Sequence, residues 1–280
     1  MLFFGVGTGR CGTMALANAL NAEPGGTCLH EGQIRVGVEA GEQWLPFLTL
    51  QNLIAYHDPE QAREVFQQVR GSLPEIRAER GVGFLGDVAY NYAPFVRVIP
   101  EILPEARLIV MFRDGRHFVR SAYTDEVPDP MPVGWLDPER ELSRRERYVA
   151  LGRLRPGESD EEGSWWETLP AFDRNAWLWA ETNRLILEGL EAWPEERVLQ
   201  LRFEAFFADP LAGYAKVRAF LGLAGPVPEA VKVLLGTRLN TRKSKPLPPP
   251  DAWSPALRAA FDAQAGPMCD RLGYPRASEG

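Results

Sequence analysis

The stretch GTGRCGTM, residues 7–14, combines three glycines (Gly7, Gly9, Gly12), two hydroxyls (Thr8, Thr13) and one fixed cation, Arg10. Glycine lets a backbone turn tightly and approach a ligand with no Cβ in the way. Leu2 to Val6 ahead of it is a short apolar run, and helix formers follow from Met14 to Leu20, with Leu16 and Leu20 on one face. A glycine turn between a strand and a helix presents the helix's first N–H groups, and the helix dipole favours an anion there. This stretch is built to hold a phosphate-type group.

Which anion it holds depends on what the loop lacks. A Walker loop aligns on Gly7 and Gly12, but then Thr13 stands where the lysine belongs and Met14 where a hydroxyl would hold Mg²⁺. Without both groups a Mg-nucleotide loses its charge neutralisation, which argues against a standard ATPase or kinase. Gly7-Thr8-Gly9-Arg10-Cys11-Gly12 also fits G-x-G-x-x-G, with Glu31 near the distance of a ribose-binding acid. A nicotinamide-dependent oxidoreductase is therefore one alternative, and a non-catalytic nucleotide-binding module is another. The third reading takes Arg10 as the key residue, serving an anion bound without metal. A cysteine-phosphatase loop is excluded, because Ala17 and not arginine follows six positions after Cys11.

A second group lies in LIVMFRDGRHFVRSAY, residues 108–123, which puts Arg113 at the tip of an apolar strand and Ser121 eight residues on, in the next helix. In an open α/β sheet, ligands gather at the C-terminal ends of the strands, where the glycine loop also sits. An arginine fork and a hydroxyl meeting there suit a second phosphate. A third group is titratable: His30 and Glu31 end the run TCLHE, and Asp87 ends VGFLGD.

The elements that must position these residues follow from composition and pattern. A chain of 280 residues, 45% hydrophobic, can build one large α/β core with an insertion. A net charge of −7 argues against a general nucleic-acid binder, so any anion site is a local positive pocket. Three cysteines, Cys11, Cys28 and Cys269, have no metal spacing and suit a reducing compartment. The first strand starts at Leu2, which leaves no room for a signal peptide, and no apolar run of about 18 residues follows. These features lead to the expectation of a cytoplasmic protein with no stable membrane insertion. TCLHE, VGFLGDVAY, ARLIVMFRD and RVLQLRFEAF read as strands, while residues 40–80, PFVRVIPEIL, DRNAWLWAETNRLILEGLEAW and DPLAGYAKVRAFLGL read as helical. The expected fold is a single α/β domain, 1–280, with a mostly parallel central sheet flanked by helices. Residues 127–170, rich in proline, glycine and acid, are expected to form an insertion or lid. Residues 246–280 form a C-terminal segment, in which PLPPPD leads stiffly to a terminal helix around SPALRAAFDAQ.

With both anion motifs in this order, the chain resembles the sulfotransferases that use 3′-phosphoadenosine-5′-phosphosulfate (PAPS), a family with a P-loop-like fold. Arg10-Cys11-Gly12-Thr13 matches the family's 5′-phosphosulfate loop, [KR]-x-G-T. Arg113, Asp114, Ser121 and Tyr123 match its 3′-phosphate motif, R-D-P-x-x-R-x-x-S-x-Y, with Gly115 for the proline and Phe118 for the second arginine. LRFEAFFADPLAGYAKVRAFLGL, with Glu204, is similar to the family's late strand–helix segment. NTRKSKP, with Arg242 and Lys243, is similar to the basic loop that closes over the nucleotide, without that loop's usual glycines. The resemblance runs from Leu2 to about Pro246, interrupted by the insertion.

The resemblance implies sulfuryl transfer from PAPS to a hydroxyl of a small molecule, lipid or sugar, with 3′,5′-adenosine bisphosphate as product and no metal. It implies that Thr8, Gly9, Arg10, Cys11, Gly12, Thr13 and Met14 hold the 5′ end, that Arg113 and Ser121 hold the 3′-phosphate, and that Arg242 and Lys243 close over the nucleotide. Arg10 would neutralise the leaving phosphate. A base must take the acceptor's proton; Glu31 comes first, then His30, with Asp87 in reserve. His57 and His117 have structural readings. Trp135, Trp165 and Trp166 could stack on a sugar or an apolar ring, although such residues also simply pack. The acidic run GESDEEGSWWE would repel an already sulfated polysaccharide. No nucleic-acid partner is expected, and the oligomeric state is left open.

Overall fold

A computed structural model of the chain describes residues 1–123, 134–135, 144, 147, 151–157, 161–237 and 247–279. Seven strands form one sheet: β1 (Leu2–Gly7), β2 (Gly26–His30), β3 (Gln33–Val36), β4 (Glu39–Gln43), β5 (Phe84–Val88), β6 (Arg107–Phe112) and β7 (Val198–Arg202). Their spatial order is β4-β3-β2-β5-β1-β6-β7. The last five of these are parallel to one another, and β3 and β4 add an antiparallel edge. β1 is central, between β5 and β6, and is apolar on both faces as a covered parallel strand must be.

Strand alternation sorts the core into two layers. Phe3, Cys28, Val88 and Ile109 pack on one face with α1 (Thr13–Asn21) and with Tyr214 and Val217 of the late helix Pro210–Leu221. Phe4, Leu29 and Val110 pack on the other, with Phe66, Tyr92 and Trp179. Register brings Gly5 beside Val88, His30 beside Val88 and Gly7 beside Met111. The C-terminal ends of β1, β2, β5 and β6 therefore share one edge, and the segments that follow them meet there.

Three expectations change. Residues 40–80 are not helical throughout: Glu39–Gln43 is the exposed edge strand β4, and helices begin only at α2 (Gln51–His57), followed by α3 (Ala62–Arg70) and α4 (Leu73–Glu79). PFVRVIPEIL is not one helix. Pro94 lies in a 3-10 turn, Tyr90–Phe95, and Pro100 opens the four-residue α5 (Ile99–Ile102). Each proline removes the N–H a continuous helix would need. The strand in RVLQLRFEAF stops at Arg202, where a short helix, Phe203–Ala208, begins.

Helix α6 (Gly115–Ala122) follows β6 directly. Of residues 127–170, most lie outside the described residues; there α7 (Glu161–Thr168) places Trp166 in the interior, 4.9 Å from Trp177 between ring centroids. Trp177 belongs to α8 (Ala171–Gly189), the long helix that packs beside α6. The terminal helix spans Pro255–Leu272. Among the described residues, no helix is long and apolar enough to cross a membrane.

Candidate active site

β1 ends where its backbone must fold back on itself. A Cβ on Gly7 would lie 2.4 Å from Cys11 Sγ and 2.6 Å from the Met111 carbonyl oxygen. Gly9 (φ 76°), Arg10 (φ 51°) and Gly12 (φ 88°) then take left-handed backbone conformations. For Arg10, which has a Cβ, this is uncommon and marks a position held by its surroundings. Gly12 caps α1 with no side-chain acceptor, and no acid stands in the helix's first turn. The positive end of α1 therefore opens onto the loop, as an anion cradle requires. Cys11 is fully buried and burial pushes its thiol up to about 11, so it packs as a neutral group. The Thr8 hydroxyl turns back to donate to the Gly9 carbonyl at 3.1 Å, and Met14 is half-buried on α1.

The second anion motif comes to the same place. Arg10 Nε donates to Ser121 Oγ at 2.9 Å, and Arg113 Nη1 donates to the Arg10 carbonyl. The Arg113 guanidinium lies 4.3 Å over the Phe203 ring, while the Trp179 indole N–H donates to the Arg113 carbonyl at 2.9 Å. Buried Arg113 Nε has no hydrogen-bond partner among the described residues, which leaves an unspent donor for an anion. Asp114 caps α6, accepting from the Arg116 amide at 2.9 Å and from its guanidinium at 2.7 Å. Glu204 braces the junction, accepting from the Asp114 amide at 3.0 Å and from Tyr274 Oη at 3.1 Å.

The titratable group divides into three different environments. His30 faces α1, with Nε2 3.4 Å from Thr13 Oγ1. Burial, and then Arg35, push its protonation down to about 3, so the imidazole is neutral near pH 7 and weakly basic. Glu31 has left the strand: its φ is 56°, and Gly32 follows at 79°. Strand alternation therefore does not continue from His30 to Glu31. No described residue donates to the Glu31 carboxylate; burial lifts it to about 7, Arg35 pulling against that rise and Asp87 adding to it. Asp87 faces the interior and is 1% exposed; it accepts from the Gly32 amide at 3.0 Å, from Tyr92 Oη at 2.6 Å and from Arg70 Nη2 at 3.4 Å. Three buried donors already occupy it, which suits a support more than a base.

Sequence reasoning did not single out Arg35, Tyr90, Arg153, Trp179 or Phe203. A small cavity beside Thr8 is lined by Tyr90, Asn52, Arg153, Leu178 and Thr182, and burial together with the nearby Glu31 charge raises the Tyr90 phenol. Only Phe203 carried a signal, through the segment LRFEAF. His57 ends α2 and packs edge-on against Tyr56, and His117 is exposed on α6. Arg242 and Lys243 lie outside the described residues.

Sheet order bears on the nicotinamide alternative. In the dinucleotide-binding fold the acidic strand is the immediate neighbour of the glycine-loop strand, whereas here β5 stands between β1 and β2.

No protein-family model matches the sequence, and no curated protein matches it. Among solved structures, the chain is similar to a sulfotransferase from Alicyclobacillus acidocaldarius, at 20% identity and a TM-score of 0.52, covering 96% of this chain and 93% of that one. It is similar to the sulfotransferase domain of a Synechococcus olefin synthase, at 13% identity and a TM-score of 0.51, covering 98% and 94%. It is also similar to the sulfotransferase domain from the curacin biosynthetic pathway, at 13% identity and a TM-score of 0.50, covering 98% of each chain. The likeness extends over nearly the whole chain, and it is a likeness of fold: the protein has the fold of these sulfotransferases.

Proposed function

We propose that the protein is a cytoplasmic sulfotransferase that takes PAPS as donor and moves its sulfuryl group to a hydroxyl of a small molecule, lipid or sugar. One observation carries the reading. The [KR]-x-G-T loop and the R-D…S-x-Y motif, far apart in sequence, meet through the Arg10–Ser121 and Arg113–Arg10 hydrogen bonds. A donor with anionic groups at both its 5′ and 3′ ends needs two cationic subsites joined in this way.

The residues fit such a donor. The uncapped N-terminus of α1, with Arg10 and the Thr13 hydroxyl, would hold the 5′-phosphosulfate; Arg113, with its unspent Nε, and Ser121 would hold the 3′-phosphate. Arg242 and Lys243 would close over the nucleotide. Bound there, the donor supplies a sulfuryl group whose S–O bond to phosphate breaks as an S–O bond to the acceptor forms. Arg10 and the loop amides neutralise charge growing on the phosphate, by the positioning and electrostatics that serve phosphoryl transfer. Glu31, raised to about 7, is matched to take the acceptor's proton near neutral pH. The insertion at 127–170 would cover the acceptor; Trp166, packed in the interior against Trp135 and Trp177, would brace that cover instead of stacking on the acceptor.

The test is a thermal shift with 3′,5′-adenosine bisphosphate, NAD and Mg-ATP side by side, with and without EDTA. The bisphosphate alone should stabilise, by about 2.7 kcal/mol at a hundred times its Kd, and EDTA should change nothing. Stabilisation by NAD, or a bisphosphate effect that needs Mg²⁺, would overturn the reading.

A further inference from the structure

We infer that Asp87 is a positioning residue for Glu31: through the Gly32 amide its carboxylate holds the turn that carries the Glu31 side chain out of the strand. The turn is gripped from both sides. Two successive residues of β5 take its two amides, Glu31 N–H donating to the Val88 carbonyl at 3.3 Å and Gly32 N–H to Asp87 Oδ1 at 3.0 Å. From the opposite side, the Gly32 carbonyl accepts from the Trp44 and Leu45 amides at 2.9 and 3.1 Å. A side chain at Gly32 could not enter, since its Cβ would stand 2.5 Å from the Leu45 carbonyl oxygen.

The anchor is itself anchored. Asp87 Oδ2 accepts from Tyr92 Oη at 2.6 Å and from Arg70 Nη2 at 3.4 Å, and both side chains of the Arg70–Asp87 pair are wholly buried. Arg70 Nε also donates to Tyr92 Oη at 2.6 Å, which closes the triangle. A carboxylate so fixed has little freedom of its own. It therefore transmits the rigidity of β5 and α3 to Glu31, whose left-handed backbone needs such support.

Asp87 also acts by its charge. The groups that face Glu31 are Arg35 on β3, Asp87 on β5, Tyr90 in the turn after β5 and His30 beside it, with Arg153 beyond Tyr90. Asp87 is the negative one among them and makes the Glu31 proton harder to lose, against the pull of Arg35.

The inference depends on the proposed function only for calling Glu31 a base; the anchoring stands apart from it. The experiment is a ¹³C-carboxyl NMR titration of Glu31 in the full chain, assigned with Glu31→Gln, in wild type and in Asp87→Asn and Asp87→Ala. Wild type should titrate near pH 7 and both variants lower, because a negative neighbour is gone. The Gly32 amide should be protected from hydrogen exchange in wild type and exchange at least tenfold faster in Asp87→Ala. With an active acceptor, the acid limb of kcat should move to lower pH in Asp87→Asn, while bisphosphate affinity stays within about twofold. A folded variant with an unmoved Glu31 titration overturns the inference. If neither variant folds, a Gly32 amide that exchanges freely in wild type overturns it, and a protected one supports it. Absence of turnover on every acceptor would count against the sulfotransferase reading alone, since the NMR arms need none.

Discussion

Arg10 Nε and Ser121 Oγ lie 2.9 Å apart across 111 residues of sequence. Arg10 belongs to the loop after β1 and Ser121 to the last turn of α6, so this bond joins the two anion motifs directly. Arg113 completes the link by donating to the Arg10 carbonyl. On the proposed function each anion subsite would thereby be built partly from the other, and a ligand that engages one end would meet a cradle already set at the other end.

Arg113→Ala tests the division of labour between the two ends. If Arg113 grips a 3′-phosphate, its loss should weaken the bisphosphate by about tenfold or more, at roughly 1.5–3 kcal/mol for a charge-assisted bond. Adenosine 5′-phosphosulfate, which lacks that phosphate, should lose much less, through the loosened Arg10 carbonyl only. Titration calorimetry on both ligands decides it; equal losses would make Arg113 a loop brace.

Gly115→Ala should destabilise the fold and weaken the proposed 3′ subsite together. Its new Cβ would stand 2.7–2.9 Å from three ring atoms of Trp179, the residue whose indole holds the Arg113 carbonyl. Overpacking of this kind costs about 1–3 kcal/mol, or a fall in Tm of roughly 2–4 °C per kcal/mol for a chain of this size. Gly236→Ala, with open space around its Cβ, is the control and should melt like wild type. Equal melting of Gly115→Ala and wild type would show that the indole yields freely.

The same contacts explain what the sequence could and could not reveal. Buried parallel strands such as FLGDV and RLIVMF are legible because both faces are covered, and the loop is legible because its glycines have no other use. The edge strand Glu39–Gln43 is not, because all five of its residues are exposed and no alternation marks it. It is held by pairing with β3 and by Arg80, which bonds Glu42 at 3.0 Å and lies 4.4 Å over Trp44. The Glu31–Gly32 turn was illegible for a related reason. Its left-handed geometry is imposed by Val88, Asp87, Trp44 and Leu45, all far off in sequence, and only Gly32 hinted at it. Gly115 stands at the proline of the 3′-phosphate motif, and what it does there is visible only in the fold: it lets Trp179 approach.

Glu31→Gln and His30→Ala separate base from neighbour. Glu31→Gln should leave bisphosphate affinity within about twofold and cut turnover by roughly 10²–10⁴, the scale of general-base catalysis. It should also abolish the rise of kcat through about pH 7 that the Glu31 carboxyl would set. His30→Ala should cost less, because its imidazole is neutral and turned to Thr13. A panel of phenols, sterols and simple sugars supplies the acceptor. Full turnover in Glu31→Gln, with loss in His30→Ala, would transfer the role to His30.

The same two residues give opposite slopes of stability against pH. Glu31 is raised from 4.5 to about 7 in the folded protein. The folded state thus holds its proton longer than the unfolded chain, and Glu31's contribution to stability is full below pH 4.5 and lost as pH rises through about 7. His30 is lowered from 6.5 to about 3. The unfolded chain binds a proton that the folded one refuses, so His30's contribution is full above pH 6.5 and lost as pH falls towards 3. Between 4.5 and 6.5 the two slopes offset each other, and single variants should expose them. Glu31→Gln should become more stable relative to wild type as pH rises from 4.5 to about 7. His30→Gln should become more stable relative to wild type as pH falls from 6.5 to 4.5. His117, whose ring is lowered by partial desolvation on the exposed face of α6, is common to all three proteins and cancels in the comparison. Urea midpoints measured at pH 4.5, 5.5, 6.5 and 7.5 provide the reading. Three parallel curves would mean that neither group changes its proton affinity on folding, and Glu31 would then lose its claim to be a base tuned by burial.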